Sequence, residues 1–438
     1  MSGLPSPTGL SQTTGLSIGQ GLGLGYGLAF QGFTSFSPAS LFAAGEQGVW
    51  YDPSDFSTMF QDSAGTTPVT AVEQPVGRIL DKSGRGNTAT QATAASRPVL
   101  SARVNLLTQT EDFSNVIWSK INCTASAMNV ADPIGGNTAS TVTATLGVAY
   151  FFYNAAPNNP INQTLISSVW LRRRTGSGVV GLRNNAISGA ATTLALTSSW
   201  QLFSISCVAG NGGGFNNFVI NIDTTGDAID VWHPDLRSIS VGVGLPTYQR
   251  VTTSTDYDTT GFPLYLRFDG TDDFLLTGTI TAGTDKVQVF SGIRKLSDAA
   301  RAIAAEFNTG AAAAGNWGLN APNTAAANYA MRSIGTIAAS AESAASFASP
   351  ITNVVTGLSD ISGDTVTLRV NATQVAQSTS DQGTGNFLAF PIYLGSRAGT
   401  SFRLNGHIYS LIARFGANLD AATISNTETW VNGKTKAF

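Results

Sequence analysis

The sequence is poor in charged residues. Asp, Glu, Lys and Arg make up only 12% of its 438 residues, about half of the roughly 25% that is usual in a soluble domain. The formal net charge is −3, and the lysines and arginines are scattered along the chain. A basic patch of the kind that binds nucleic acid or an anionic membrane is therefore not expected. We expect a neutral partner, either a glycan or another protein.

Histidine and cysteine are also scarce. The two histidines, His233 and His407, leave little material for a His-dependent catalytic triad or a multi-His metal site. We expect a structural turn at His233, no catalytic role for His407, and no cofactor. The two cysteines, Cys123 and Cys207, lie in segments that resemble short strands. Two buried free thiols are favoured over a disulfide across a sandwich, because free cysteine is among the most buried residue types.

Long apolar runs are missing as well. No run approaches the roughly 20 residues of a membrane span, and the N-terminus lacks the basic segment of a secretory signal. We therefore expect neither membrane insertion nor an export device in the chain. Disorder is not expected either, because 42% of the residues are hydrophobic and the net charge is small. The length suffices for two or three ordinary domains.

Residues 1–40 contain no charged side chain at all. Within them, glycine alternates with larger apolar residues over Gly21–Phe30, which places the apolar side chains on one face of an extended strand. Such a strand cannot bury that face alone. We expect this arm to dock on another protein by strand addition or groove insertion, with a flexible linker as the alternative. The candidate anchoring residues are Leu22, Leu24, Tyr26, Leu28 and Phe30.

After residue 40, short β-branched and aromatic runs alternate with turns rich in Gly, Asn and Ser. This pattern is typical of a sandwich or jelly roll, and it predicts a mostly β, antiparallel protein. The clearest predicted strands are Leu165–Leu171, Val179–Leu182, Trp200–Cys207, Phe218–Ile222, Ile229–Trp232, Lys286–Ile293, Ala302–Phe307, Thr365–Val370, Phe390–Leu394 and Gly406–Phe415. One short helix is predicted near the C-terminus, ending at about Asn432, with one face formed by Leu419, Ile424, Thr427 and Val431.

Several stretches resemble a group of phage and prophage proteins that carry a concanavalin A-like, laminin-G-like sandwich. The opening of that group is similar to Gly45–Asp55, Phe60–Gly65 and Asp81–Asn87. Its continuation resembles Leu266–Asp273, and its close resembles Gly406–Ile412 and Trp430–Asn432.

A long insertion separates the opening from the continuation. It begins with Asn105–Ser114 and Trp118–Lys120 and closes with Leu245–Val251, and it resembles the carbohydrate-binding-module-like jelly roll of phage structural proteins. The resemblance implies an extended arm over residues 1–40 and a discontinuous sandwich over 41–104 with 258–438. The inserted jelly roll would span 105–257, which is topologically reasonable because the termini of such domains often lie close together.

The resemblance implies a virion surface protein of a tailed bacteriophage, assembled in the cytoplasm of the host bacterium. We expect a tail fibre or appendage whose arm attaches to other virion proteins, either of the portal and tail or of the capsid. Its lectin-like domains would bind a host-surface glycan, and a homo-oligomer such as a trimer would add avidity. A capsid decoration protein or head fibre is the alternative, followed by a polysaccharide depolymerase.

An enzymatic function would need suitable carboxylates. A glycosidase places two of them about 5–10 Å apart across a cleft, and the candidates are Asp269, Asp272, Asp273 and Glu306. The sequence does not bring two of these to one cleft, so we expect a binding protein and no catalytic residue. The three aspartates read first as a solvated turn; calcium is the alternative, although it needs 6–8 oxygen ligands.

Aromatic side chains are the remaining resource for binding a sugar ring. Trp317 lies among small polar residues and is the best candidate for an exposed ring, with Trp232 as a second candidate. Trp170 and Trp200 fall inside apolar runs, so we expect them to be buried anchors. The run Arg172–Arg174 is expected to be a solvated hairpin end rather than an anion site.

Overall fold

A computed structural model describes residues 36–153, 164–183, 191–208, 218–238, 248–252, 264–309 and 313–438. Residues Phe36–Phe438 form one compact unit. The candidate anchoring residues Leu22, Leu24, Tyr26, Leu28 and Phe30 lie outside the described residues. The described part of the arm, residues 36–40, includes the start of a 3-10 helix at Pro38–Phe42.

The described residues are mostly strand in antiparallel sheets, with an α-helix near the C-terminus, which confirms the predicted fold class. The early strands are β1 (Gln47–Tyr51), β2 (Met59–Phe60), β3 (Gln74–Pro75), β4 (Arg78–Ile79), β5 (Ala89–Thr90) and β6 (Val99–Ser101). The middle strands are β7 (Trp118–Ile121), β8 (Cys123–Ala125), β9 (Ser140–Ala144), β10 (Ala149–Tyr153), β11 (Thr164–Thr175), β12 (Val180–Arg183), β13 (Thr192–Thr193), β14 (Gln201–Val208), β15 (Val219–Ile222) and β16 (Ala228–Ser238). The late strands are β17 (Tyr265–Asp269), β18 (Leu275–Thr277), β19 (Ile280–Thr281), β20 (Lys286–Lys295), β21 (Ile303–Phe307), β22 (Asn316–Asn320), β23 (Ala330–Ile334), β24 (Ala338–Glu342), β25 (Ile351–Asp360), β26 (Thr365–Val370), β27 (Thr373–Ser378), β28 (Ala389–Phe390), β29 (Ile392–Leu394) and β30 (Asn405–Phe415).

The early and late strands together form two large sheets. In sheet A the order is β27-β26-β25-β20-β30-β17-β6-β3, with β1 also paired to β30. In sheet B the order is β2-β4-β5-β18-β29-β21-β22-β23-β24. Alternate residues of both sheets point inward and build a shared core that includes Val49, Leu266, Val289, Trp317 and Leu411. We call this part of the molecule the sandwich.

The middle strands form two five-stranded sheets of their own. Sheet C has the order β13-β12-β15-β10-β7, and sheet D has the order β14-β11-β16-β9-β8. A separate core between them includes Trp118, Leu165, Val169, Ile220 and Val231. We call this part the jelly roll. The exact boundaries at 104/105 and 257/258 stay a prediction, because residues 253–263 lie outside the described residues.

The side chain of Gln249 joins the two parts. Its Oε1 accepts hydrogen bonds from the backbone N–H groups of Val104 (2.7 Å) and Asn105 (3.0 Å), and its Nε2 donates to the carbonyl of Ala102 at 2.8 Å. Asn105 Nδ2 donates to the Gln249 carbonyl at 3.0 Å. The segment that leaves the sandwich and residues 248–252 are therefore clamped together by buried hydrogen bonds.

The α-helix near the C-terminus, α1 (Ala421–Thr435), covers the outer face of sheet A. It begins at the N-cap Asp420, whose side chain accepts from the Thr423 N–H at 2.7 Å. Val431 packs on Phe290 and Ile412 of the sheet. The predicted helix is confirmed, with Ile424, Thr427 and Val431 on its inner face. Leu419, which was predicted on the same face, lies before the helix, and the helix ends three residues later than expected. No helix among the described residues is long and apolar enough to cross a membrane.

Cys123 is buried and free, as expected. It lies in β8 at one edge of sheet D, whereas Cys207 lies in β14 at the opposite edge. Four strand spacings, roughly 19 Å, separate the two backbones, and a disulfide needs Cα atoms within about 7 Å. Burial raises the pKa of the Cys123 thiol to about 11, so this thiol stays protonated and unreactive.

Candidate functional site

Tryptophan side chains gather on the outer face of sheet D. Trp170 of β11 lies directly opposite Trp232 of β16, and the ring centroids are 6.3 Å apart. Trp200, just before β14, packs against the same cluster. Side chains alternate along β11, so Val169 and Leu171 point into the jelly-roll core while Trp170 points away from it.

Two of these rings are open to solvent. Trp170 and Trp200 are each only partly buried, so the prediction of buried anchors is wrong for both. The apolar sequence neighbours of Trp170, which are Val169 and Leu171, belong to the opposite face of the strand. Beside Trp170 in the ladder is Leu202, which is 44% exposed. The hydroxyls of Ser168 and Ser204 follow on the same face. We call Trp170, Trp200, Leu202, Ser168 and Ser204 the tryptophan face.

Trp232 is covered and is not a surface platform. It is 5% exposed, and its Nε1 donates to Thr138 Oγ1 at 2.7 Å. The segment 126–139 between β8 and β9 folds over it, with Val130 and Ala139 against the rings. The prediction that Trp232 binds a glycan directly is therefore wrong, because this loop occupies the space in front of its ring.

Asp132 holds that covering loop in shape. Its carboxylate accepts hydrogen bonds from the N–H groups of Ile134 (3.0 Å), Gly136 (2.9 Å) and Thr138 (3.1 Å), and from Thr138 Oγ1 at 2.8 Å. Burial alone would raise its pKa, but these hydrogen bonds lower the pKa of Asp132 below its usual value. The loop is therefore ordered by one ionised carboxylate.

Trp317 is completely buried, which overturns its prediction as the best exposed ring. It lies in β22 with 0% exposure, and its ring packs against Phe307 with a centroid distance of 6.3 Å. The polar neighbours that suggested a surface position, Asn316 and Asn320, are themselves buried and hydrogen-bonded. Small polar residues around a tryptophan can belong to a buried network as well as to a surface.

A buried aspartate anchors the charged edge of the tryptophan face. Asp230 is 1% exposed and accepts from Arg172 Nε at 2.8 Å, from Arg174 NH1 at 3.0 Å and from Thr141 Oγ1 at 2.7 Å. The guanidinium of Arg172 also lies over the Trp200 ring, 4.8 Å from its centroid. Arg172–Arg174 are thus ion-paired rather than a solvated hairpin end, and Arg172 fixes the position of Trp200.

An aromatic stack continues inward from the cluster. The His233 ring lies between Trp232 and Tyr248, with centroid distances of 3.3 and 3.6 Å. His233 has a left-handed backbone, with φ of 53°, where the β11–β16 ladder shifts register. Burial lowers the pKa of His233 to about 4, so the imidazole is neutral at pH 7. Its expected structural role agrees with this position.

The three aspartates of the sandwich come together at the end of β17. Ligand oxygens of Asp269, Asp272 and Asp273 all lie within 4.8 Å of one another. Asp269 accepts from the Thr271 N–H at 2.7 Å, and Asp272 accepts from Ser96 Oγ at 2.7 Å. The donor set of hard carboxylate oxygens suits calcium, and calcium binding stays a prediction.

Glu306, the remaining catalytic candidate, and His407, for which no catalytic role is expected, are both engaged within the fold. Glu306 is 1% exposed and is gripped by Arg397, with Arg397 NH2 to Glu306 Oε1 at 2.6 Å and Arg397 Nε at 2.9 Å. His407 is buried against Tyr265 at a centroid distance of 3.9 Å. Burial and two nearby arginines hold its pKa well below the usual value.

A cleft of about 210 Å³ lies between α1 and sheet A. Gln288, Leu358 and Asp360 are among its lining residues. Asp360 already accepts from Asn418 Nδ2 at 2.7 Å and pairs with Lys286 at 3.0 Å. The cleft is smaller than the roughly 300–1,000 Å³ of a small-molecule site, and no aromatic ring lines it. The tryptophan face is therefore the better candidate.

No family model and no curated protein matches the chain. Among solved structures, the CBM40 module of the Ruminococcus gnavus IT-sialidase bound to α2,3-sialyllactose is similar over 32% of this chain and 82% of that chain, at 17% identity and a TM-score of 0.27. The receptor-binding domain of a botulinum neurotoxin mosaic serotype C/D is similar over 38% of this chain and 41% of that chain, at 13% identity and a TM-score of 0.30. The fold assignment depends on the strand pairing described above and not on these likenesses.

Proposed function

We propose that the chain is a surface protein of a tailed bacteriophage virion, a tail fibre or appendage, whose jelly roll binds a host-surface glycan through the tryptophan face. The glycan-binding part of the proposal rests mainly on two partly exposed rings, Trp170 and Trp200, on the outer face of sheet D. Flat aromatic rings pack against the C–H faces of sugar rings, while hydroxyls such as those of Ser168 and Ser204 exchange hydrogen bonds with sugar hydroxyls.

The tryptophan face is prepared for binding before a ligand arrives. Arg172 is tied to the buried Asp230 and lies on the Trp200 ring, and Trp170 packs edge-on against the covered Trp232. Side chains that are already ordered lose less conformational entropy when a ligand binds. A weak glycan affinity per site would be raised by avidity in a homo-oligomer.

The virion half of the proposal is supported by the resemblance of Gly45–Asp55 and Leu266–Asp273 to phage sandwich proteins, and by the uncharged segment that precedes them. A capsid decoration protein or head fibre would use the same sandwich, jelly roll and arm, so it is the second candidate. A polysaccharide depolymerase is the third, from a different class.

A glycan array with the full-length protein tests the binding half. We expect Trp170→Ala and Trp200→Ala to reduce retention of the bound glycan by about tenfold or more, because each removes a stacking surface worth about 1.4 kcal/mol or more. The matched control is Trp430→Ala, which removes another partly buried tryptophan from α1 of the sandwich. Equal binding by the wild type and Trp170→Ala would refute the proposed site.

The same protein, incubated with the bound glycan and assayed for new reducing ends, tests the enzyme alternative. Turnover that Glu306→Gln or Asp272→Asn abolishes would replace the binding proposal with a depolymerase.

Particles assembled with a chain lacking residues 1–35 test the virion half. The deletion should stop at Ser35, because Phe36, Leu41 and Phe42 pack into the cluster beneath α1. We expect particles that lack the protein although the truncated chain still folds. Normal incorporation of the truncated protein would rule out attachment by the arm.

A further inference from the structure

A row of side chains crosses the outer face of sheet B, far from the tryptophan face. In the ladders, Tyr393 of β29 lies opposite Glu306 of β21, which lies opposite Gly318 of β22, which lies opposite Arg332 of β23. Their strand neighbours Phe307, Trp317 and Met331 point into the sandwich core. By alternation, the row itself faces away from that core.

This row holds more positive than negative charge. Arg397 grips Glu306 with both Nε and NH2, so this carboxylate is already neutralised. Arg301 and Arg332 make no ion pair with any carboxylate of the described residues. Arg301 NH2 donates only to the Asn320 amide oxygen at 3.3 Å, and its buried Nε has no partner within the described part of the chain. Two guanidinium groups therefore have no ion-pair partner among the described residues, although Glu306 lies near both of them and Glu342 lies near Arg301.

Arg332 is the most available of the three arginines. Its guanidinium has no hydrogen bond to another described residue, although the side chain is partly buried. Burial and the like charge of Arg397 lower its pKa. In the same way, burial and the like charges of Arg397 and Arg332 lower the pKa of Arg301. A partly buried guanidinium beside two other guanidinium groups has an unfavourable electrostatic free energy, which a bound anion would lower.

Gly318 leaves room for a small side chain beside Arg332, although Gly318 is itself buried. A Cβ added to Gly318 would be in ordinary contact with Glu306, with Oε1 at 3.6 Å and Cγ at 3.7 Å. The β22 position between Glu306 and Arg332 therefore carries no side chain that could fill the space next to the Arg332 guanidinium.

An exposed phenyl ring borders the same arginines. Phe402 is 36% exposed, and the guanidinium carbons of Arg301 and Arg397 each lie 4.9 Å from its ring centroid. Phe402 has φ of 50°, a left-handed conformation that is rare for a bulky residue. The turn is held by hydrogen bonds between the backbones of Arg397 and Ser401. The fold thus keeps a strained apolar ring at the surface, next to cations.

We propose that Arg301, Arg332, Arg397 and Phe402 form a second binding site, the arginine patch, for an oxyanion carried on a sugar ring. The carboxylate, sulfate or phosphate substituent of an acidic glycan is bound chiefly by Arg332. The sugar ring packs against Phe402. A single cluster with one exposed ring suits one anionic substituent better than nucleic acid, which needs a basic groove along several phosphates. This site does not depend on the tryptophan face.

The test is a binding titration of the full-length protein with oligogalacturonate, sulfated dextran and uncharged dextran. We expect the two acidic polymers to bind and uncharged dextran not to bind. Arg332→Gln should weaken acidic-polymer binding about tenfold, because it removes a charge-assisted contact. The matched control is Arg78→Gln, which removes the same charge from β4 of the same sheet, six strands away, and should change binding less than about twofold.

Two further variants and two further ligands complete the test. Gly318→Val keeps all arginines and fills the space beside Arg332, so it should also weaken binding. Binding should persist in Trp170→Ala, which separates this site from the tryptophan face. The proposal is overturned if no acidic polymer binds, or if Arg332→Gln and Arg78→Gln act equally. Equal binding of a single-stranded DNA oligonucleotide, or competition by inorganic sulfate as strong as that by the polymers, would overturn the assignment to a glycan.

Discussion

Two sheets of this molecule present tryptophan on their outer faces, and they differ in what covers it. On sheet A, Trp50 is sealed by α1, and its ring meets Trp430 edge-on at 5.6 Å. On sheet D, the loop 126–139 covers Trp232 and leaves Trp170 and Trp200 partly exposed. The helix buries Val431 together with the polar side chains of Thr427, Glu428 and Thr435. The loop buries Trp232 and touches Trp200 only at the edge, where Trp200 Nε1 donates to the Ala131 carbonyl at 3.3 Å. The sealed face contributes stability, and the partly exposed face is the one that we propose as the glycan site.

The largest expected difference is between the stabilities of two variants, each of which lacks a tryptophan ring on one of these faces. Trp50 is 8% exposed, so Trp50→Ala should lower the free energy of unfolding by about 3–5 kcal/mol because it opens a cavity under α1. Trp170→Ala should cost less than about 1.5 kcal/mol, because its ring is already partly in water. Denaturant unfolding of both variants measures this. Similar losses of unfolding free energy in the two variants would contradict the difference between a sealed and a partly exposed ring.

A pH titration should distinguish the sandwich from the jelly roll. Burial raises the pKa of Asp273 to about 7, and the neighbouring Asp269 and Asp272 add to this shift. The pKa in the unfolded chain is lower, so the stabilisation is fully present below about pH 4 and is lost as the pH rises through 7. We expect the sandwich to lose roughly 2–3 kcal/mol of stability between pH 5 and pH 8, and Asp273→Asn to flatten this dependence.

Thermal unfolding at both pH values provides the measurement, and calcium provides a second arm. If the three aspartates bind calcium, adding the ion at pH 8 should stabilise the wild type and leave Asp273→Asn unchanged. A wild type whose stability is the same at pH 5 and pH 8 would show that Asp273 is not held protonated.

The smallest expected effect comes from changing the loop that covers Trp232 or the helix α1 that covers Trp50. Asp132→Ala removes the carboxylate that orders the loop over Trp232 and should cost about 1 kcal/mol, while making tryptophan fluorescence easier to quench with acrylamide. Asp420→Ala removes the N-cap of α1 and should weaken the sandwich without exposing the sheet D cluster. Unchanged quenching in Asp132→Ala would mean that the loop keeps its shape by other contacts.

Local patterns predicted the secondary structure well. Thr365–Val370 was predicted as a strand with the bounds that the structure has, and the predicted strand Gly406–Phe415 is one residue shorter than the observed one. These predictions succeeded because the alternation of β-branched and apolar residues depends on the local backbone conformation. The helix was predicted to end at about Asn432 but continues to Thr435. The left-handed C-cap is Lys436.

Predictions of exposure were less successful, because exposure depends on what packs in front of a ring. The alternation of Val169, Trp170 and Leu171 could have indicated that Trp170 faces outward, since its two neighbours are aliphatic. Nothing local predicts that a loop 90 residues earlier covers Trp232. The burial of Trp317 depends on the pairing of β22 with β21 and β23, which is set by the whole sheet.

The Gln249 clamp has a mechanical consequence. A pull on the glycan that we propose for the jelly roll would reach the sandwich in part through the segment at Ala102–Asn105, where one side chain ties three backbone groups to residues 248–252. These side-chain hydrogen bonds tie the jelly roll to the sandwich in addition to the covalent chain, so part of the load would be carried by Gln249 and not by the backbone alone.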